Sequence, residues 1–158
     1  MIGYFAWIPF LAADIGSVFG GWLSSFLIKR GWTVNRARKT AMAVCAFMMP
    51  AGIVAVFTPN VWVALALISV AASAHQGWSA NVFTLSSDLF AKKDVGAVVG
   101  LGGSGGAIGG MILSLTAGYI LQFFGTYVPL FIIAGIMHPL AFLLIQFVFI
   151  PVIEPVRE

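Results

Sequence analysis

The chain has 158 residues, of which 61% are hydrophobic and 8% are charged, and its mean hydropathy is +1.04. A soluble domain carries about 25% charged residues because its surface must be solvated. Eight Lys and Arg with five Asp and Glu are too few for that purpose. The composition therefore excludes a soluble enzyme, a nucleic-acid-binding domain and a disordered tail, and it predicts an integral membrane protein.

Five apolar segments follow one another along the chain, at residues 1–28, 40–57, 61–90, 95–124 and 128–150. A helix needs about 20 apolar residues to cross the hydrocarbon core of a bilayer. The segments reach or approach that length, and none shows the sustained alternation typical of strands. We predict an all-α protein with five transmembrane helices in residues 1–150, followed by a cytoplasmic tail at residues 151–158.

The charges between the segments predict the orientation. The uncharged connections at 58–60 and 125–127 alternate with basic ones, which hold Lys29, Arg30, Arg36, Arg38 and Lys39, and then Lys92 and Lys93. Basic connections stay in the cytoplasm, so the C-terminus should be cytoplasmic and the N-terminal end external, in the cell (inner) membrane. An apolar external N-terminus without a signal is unusual, so we expect a fragment with at least one further helix upstream.

The third segment is the richest in polar side chains, which are costly at bilayer depth. It contains His75, Gln76, Trp78, Ser79, Asn81 and Thr84. A tryptophan face beside amide, imidazole and hydroxyl groups suits a hydroxylated, anionic small molecule, with Trp78 and Asn81 facing one cavity. The alternative interpretation is that these groups hydrogen-bond between helices.

His75 has two interpretations, a proton relay or a packed, hydrogen-bonded residue. No metal site is expected, because His138 is the only other histidine, two helices later, and no cysteine or carboxylate lies at ligand spacing around either. No cofactor is expected.

The fourth segment contains the sequence GLGGSGGAIGG at 100–110, which matches G-x-G-x-x-G. That motif indicates a dinucleotide fold only between a strand and a helix, so we reject it in this apolar run. Gly102, Gly106 and Gly110 are four residues apart, a spacing that favours close helix packing and a helix that moves as a gate. Ser104, between glycines, is a candidate for substrate contact or for a local backbone bond.

Two carboxylates lie in or beside the apolar segments. Asp14, in the first segment, is either a site for a coupling ion or a structural hydrogen-bond acceptor, and we favour the structural role. Asp88 precedes Lys92 by four residues, which predicts an ion pair along one helix.

Longer stretches resemble a known family. AHQGWSANVFTLSSDLF (74–90) and VGAVVGLGGSGGAIGG (95–110), with WIPFLAADIGSVFGGWLSSFLIKRG (7–31), resemble the hexuronate transporters of the anion:cation symporter branch of the major facilitator superfamily. The resemblance implies that the five helices correspond to helices 8–12 of a twelve-helix fold. The N-terminal half, absent from this chain, would then hold the coupling acids and the arginine that grips the substrate.

The resemblance implies part of a secondary transporter that imports a sugar acid, a hexuronate or an aldonate, with a cation such as a proton. Two halves would rock about a midplane site. The site residues would be Gln76, Trp78, Ser79, Asn81 and Thr84, with His75 and Ser104. A structural or assembly membrane protein built on the glycine-rich helix is the alternative. An enzyme is not expected, because the histidines and acids are scattered singly.

Overall fold

A computed structural model describes residues 4–155, and it is helical almost throughout. The six α-helices are α1 (Ile8–Lys29), α2 (Val34–Met48), α3 (Ala51–Phe57), α4 (Val61–Leu89), α5 (Lys92–Phe124) and α6 (Val128–Leu144), and a π-helical turn follows at Ile145–Phe149. Five helical spans are long and apolar enough to cross a membrane, because α2 with α3, and α6 with the π-helical turn, each form one span. Residues 4–155 contain no strand. The predicted all-α class with five spans is confirmed.

The first predicted helix began at residue 1, whereas α1 begins at Ile8, and residues 1–3 lie outside the described part. Pro9 lies in the first turn of α1. Proline is tolerated there because the first-turn N–H groups have no partner within the helix. After α1, Gly31 adopts a φ of 87°, a conformation that glycine reaches without a steric penalty.

The second helix begins at Val34 rather than at residue 40, so Arg36, Arg38 and Lys39 lie in α2 and not in a loop. The side chain of Thr33 caps this helix by accepting a hydrogen bond of 3.3 Å from the backbone N–H of Arg36. The prediction was wrong at this boundary because hydropathy alone counted the basic residues as a connection. Pro50 then separates α2 from α3, since its nitrogen cannot donate to the preceding turn.

The remaining predicted boundaries are close to the observed ones. Asn60 caps α4 by accepting hydrogen bonds from the N–H groups of Trp62 and Val63. The fourth predicted segment corresponds to α5, which begins three residues earlier than expected, at Lys92. It ends at Phe124 and is followed by Gly125, which has a φ of 63°. The last α-helix ends at Leu144 and continues as the π-helical turn.

Helices α1 and α4 form the closest pair in the bundle because glycines replace side chains where they meet. A Cβ built on Gly20 would lie 2.5 Å from the Cα of Gly77, which no real side chain could occupy. A Cβ on Gly77 would lie 2.9 Å from the backbone oxygen of Gly16 and from the Sγ of Cys45. Small residues of this kind let two membrane helices approach at backbone distance.

The expected tail does not extend freely from the bundle. Ile153 is buried, and its N–H donates a hydrogen bond of 3.0 Å to the Oδ1 of Asn35. The Nζ of Lys39 donates a bond of 2.6 Å to the carbonyl oxygen of Pro151. Residues 151–155 therefore pack against the start of α2, and we call this segment the C-terminal strap.

Candidate functional site

A cavity of about 310 Å³ lies between α4, α5 and α6, and we call it the α4–α6 cavity. Helix α4 supplies most of its polar lining, α5 supplies valines and glycines, and α6 supplies one histidine. The lining residues are His75, Trp78, Ser79, Val82, Phe83, Ser86, Val98, Val99, Gly102, Gly103, Gly106 and His138. The cavity thus combines an aromatic wall with a few convergent polar groups, as small-molecule sites usually do.

The two histidines of the chain meet in this cavity. The Nδ1 of His75 lies 3.1 Å from the Nε2 of His138, and the ring centroids are 5.2 Å apart with nearly perpendicular planes. This distance is a hydrogen bond in which one nitrogen carries the hydrogen and the other accepts it. This contact could not be predicted from the sequence, because 63 residues separate the two positions and no periodicity relates α4 to α6.

Trp78 forms the inner part of the cavity wall and is 9% exposed. Its ring is nearly perpendicular to the His138 ring, at a centroid distance of 5.7 Å. Behind it, Met42, Cys45 and Ala46 of α2 complete a buried apolar cluster. Packing on two sides therefore restricts the position of the indole in the cavity wall.

Asn81 does not share the cavity with Trp78, contrary to the expectation. Its side chain is completely buried at the interface of α1 and α4, where its Nδ2 donates to the carbonyl oxygens of Gly20 and Gly77, both at 2.9 Å. Three residues along a helix rotate a side chain by about 60°, and here that rotation moves it to the neighbouring interface. This geometry matches the interhelical alternative for Asn81.

The other predicted site residues have local partners or lie beside the cavity. The Oγ1 of Thr84 donates to the carbonyl of Ala80, and the Oγ of Ser104 donates to the carbonyl of Gly100. Gln76 and Thr84 are partly buried and Ser104 is exposed, and none of the three belongs to the cavity lining. Of the seven predicted residues, the structure brings His75, Trp78 and Ser79 together.

The glycine stripe of α5 has open space around it within the described residues. A Cβ built on Gly102, Gly106 or Gly110 meets no atom within 4 Å. Gly102 and Gly106 line the α4–α6 cavity, and the close helix contact expected of this stripe occurs instead between α1 and α4. Asp14 is exposed on α1, where it borders a separate groove with Ile15, Val18, Phe19 and Trp22.

A polar network that the sequence did not reveal joins three helices at the strap end of the bundle. The Nε of Arg38 donates to the Oδ2 of Asp88 at 2.8 Å, and its Nη1 donates to the Oγ of Ser24 at 2.7 Å. Asp88 was expected to pair with Lys92 along one helix, but α4 ends at Leu89 and Lys92 begins α5. The i,i+4 geometry behind that expectation therefore does not exist.

Helical spans, glycine-mediated packing and a cavity with polar groups describe a polytopic membrane protein with an internal cavity. Comparison with known proteins identifies the family within this class. The family model of the Major Facilitator Superfamily matches residues 1–158, and the chain belongs to this superfamily. Membership and the relatives' names indicate a transporter rather than an enzyme.

Three relatives show the range of similar proteins. The chain is 33% identical to the hexuronate transporter of Escherichia coli (strain K12) over 162 residues, which is 99% of the chain and 37% of that protein. It is 28% identical to the D-galactonate transporter of Escherichia coli O6:H1 over 78% of the chain and 28% of that protein. It is 28% identical to a probable galactarate/D-glucarate transporter of Bacillus subtilis over 79% of the chain and 27% of that protein. The matched part of the chain thus covers between 27% and 37% of the length of these relatives.

Proposed function

We propose that the chain is the C-terminal part, helices 8–12, of a secondary transporter that imports a sugar acid, a hexuronate or an aldonate, with a cation by alternating access. A proton is the simplest cation for this role. The relatives are named for organic anions that carry several hydroxyl groups, which supports this substrate class. The remainder of the transporter, expected to include an N-terminal half, would complete the site between two rocking bundles.

The observation that carries the proposal is the position of Trp78 in the polar wall of the α4–α6 cavity. An indole face offers an apolar surface to a sugar ring, while Ser79 and His75 are in the same wall to bond its hydroxyl groups. No arginine, lysine or carboxylate lines the cavity within the described residues. We therefore assign the permanently charged group that pairs with the substrate carboxylate to the rest of the transporter.

The support for a functional role differs among the other predicted residues. Gln76, Thr84 and Ser104 remain proposed contacts that need a change of rotamer or the approach of the remaining helices. Asn81 is better assigned to holding α1 against α4, because both of its N–H groups are bonded there. Gly102, Gly106 and Gly110 are proposed to allow α5 to move during gating, since no side chain fills the space beside them.

Substitution of Trp78 tests the proposal in the intact transporter. Trp78→Ala should weaken glucuronate or galacturonate affinity by roughly 5- to 150-fold, which corresponds to about 1–3 kcal/mol for a lost stacking contact. Trp78→Phe should retain most of the affinity, because a flat ring remains. Uptake and binding are measured at matched membrane abundance.

Val82→Ala is the matched control, because Val82 lines the same cavity without a polar or aromatic group. It should leave affinity within about twofold of the parent. If Trp78→Ala reduces abundance and thermal stability while the surviving protein binds sugar acids with unchanged affinity, Trp78 is a packing residue and the cavity is not the substrate site. The alternative of an assembly protein predicts no sugar-acid uptake at all.

A further inference from the structure

We propose that His75 and His138 form a proton-binding site that takes one proton for the pair, in the wall of the α4–α6 cavity. The bond between the Nδ1 of His75 and the Nε2 of His138 joins α4 to α6 directly. The proposal depends on the proposed function in one respect, namely that the proton accompanies an anionic substrate.

The hydrogen bond itself leaves room for one additional proton. A neutral imidazole has one N–H and one lone pair, so in the neutral pair one N–H and one lone pair form the contact. One other lone pair remains, on the outward Nε2 of His75 or on the Nδ1 of His138, depending on which ring donates. A proton that binds there leaves the contact intact and turns it into a charge-assisted hydrogen bond.

A second proton would have to bind to the nitrogen that accepts this bond. The contact would then be lost, and two positive charges would face each other at the present distance of 3.1 Å. Like charges so close oppose each other's protonation, as paired titrating groups generally do. The geometry of the contact therefore accommodates one added proton on the pair and disfavours a second.

The surroundings of the pair favour a proton over a metal ion. No group of three His, Cys, Asp or Glu side chains is placed to hold a metal within the part of the chain that the structure describes. Two imidazoles alone fall short of the three or four ligands that protein zinc sites use. His75 is exposed, so protons reach the pair from the cavity, whereas the Nδ1 of His138 is buried.

Few other titratable groups face the pair from the elements packed around it. Helix α5 presents valines and glycines to the cavity, and α3 contains no titratable side chain. On α2, the thiol of Cys45 lies behind Trp78. Asp14 of α1 borders a different groove, and Asp88, thirteen residues beyond His75 on α4, is paired with Arg38.

One proton on the pair would place a single positive charge beside Trp78. A sugar acid that binds against the indole would then be attracted by that charge, and by linkage the bound anion would strengthen proton binding by the same factor. The protonated pair would thus attract the anion, and this attraction would couple proton binding to anion binding within this part of the transporter.

A histidine titration tests the site in the intact protein. The protein is labelled with ¹⁵N-histidine, reconstituted in lipid nanodiscs and followed by ring ¹⁵N–¹H spectra between pH 4.5 and 8.5. His75→Gln and His138→Gln assign the signals. We expect both rings to respond to one first step, with the second proton bound at least tenfold more weakly than the first. Two independent, identical groups would differ only by the statistical factor of about fourfold.

Substituted variants provide the comparisons for this titration. His138→Gln should leave a single ring in the cavity and a simple one-step titration, and Val82→Ala, in the same cavity wall, should leave both steps unchanged. Two simple, independent titrations in the unsubstituted protein would overturn the proposal, and that measurement decides the matter even where His138→Gln fails to fold. Glucuronate binding is measured on the same samples by calorimetry, and its absence would count against the proposed function alone.

Discussion

The Nε of Arg38 lies 2.8 Å from the Oδ2 of Asp88 and joins the first turns of α2 to the last turn of α4. Both side chains are largely buried, at 10% and 18% exposure. The hydroxyl of Ser24 on α1 accepts a second bond from the same guanidinium. One arginine therefore connects three of the five spans at one end of the bundle.

Removal of one partner of this pair should destabilise the protein. Asp88→Asn leaves the Arg38 guanidinium buried without a counter-charge, and we expect a loss of about 2–3 kcal/mol in the free energy of unfolding, slightly less than for a fully buried pair. Thermal unfolding of the detergent-solubilised protein measures the loss. The double variant Arg38→Gln/Asp88→Asn should recover part of it, because neither charge is then left unpaired. Strictly additive effects of the two substitutions would show that the pair does not interact.

The close contact of α1 with α4 predicts that alanine substitutions at glycines of α1 and of α5 have different effects on stability. Gly20→Ala places a methyl group against the backbone of Gly77, so it should separate the helices and lower both abundance and thermal stability. Gly106→Ala is the matched control, since its Cβ meets open space. We expect it to be neutral, or stabilising by about 0.5–1 kcal/mol through helix propensity.

Equal destabilisation by Gly20→Ala and Gly106→Ala would contradict this assignment. It would show that the α5 glycines pack against another helix as tightly as α1 packs against α4. Transport assays on Gly106→Ala test the gating role separately, because that role predicts a lower uptake rate at normal stability.

Substitutions at two neighbouring residues test whether the C-terminal strap packs against α2. Ile153 is 2% exposed against the start of α2, whereas Val152 is 58% exposed. Ile153→Asp should detach the strap and cost roughly 2 kcal/mol, from the lost apolar burial and the charge placed at the contact. Val152→Asp should have little effect. Limited proteolysis should cut the strap faster in the first variant only, and similar cleavage of both variants would mean that the strap is not held in solution.

The orientation in the membrane is a further prediction. Because Arg38 contacts Asp88 and Lys39 contacts Pro151, the first and third connections and the strap share one end of the bundle. The positive-inside tendency places that end in the cytoplasm. In a Cys45→Ser background, Pro59→Cys should react with a membrane-impermeant maleimide added to intact cells, and Lys93→Cys should not. The reverse pattern of labelling would invert the proposed topology.

Much of the fold could be predicted from the sequence because the bilayer acts on local composition. Runs of about 20 apolar residues must be helical where no water can bond the backbone, so the existence of the five spans needed no tertiary information. The start of the second helix was the main error. Its basic first turns looked like a loop, whereas in the structure they are helical, capped by Thr33, and Arg38 pairs with Asp88 across the bundle end.

The candidate site was only partly predictable for a geometric reason. Helical periodicity places Trp78 and Asn81 about 60° apart, which is near enough to suggest one face but far enough to reach two different interfaces. Which interface each side chain meets depends on where α1 and α6 pack against α4, and no local pattern encodes those contacts.

The sequence by itself determined the membrane class, the number of spans and the chemistry available on α4, because these follow from residue type and local spacing. Only the tertiary structure decided that Gly16 and Gly20 rather than the α5 stripe make the tight contact. It also decided that His75 meets His138 across 63 residues. Such pairings depend on the relative position of whole helices, which is set by the sum of many small packing contacts and by no single motif.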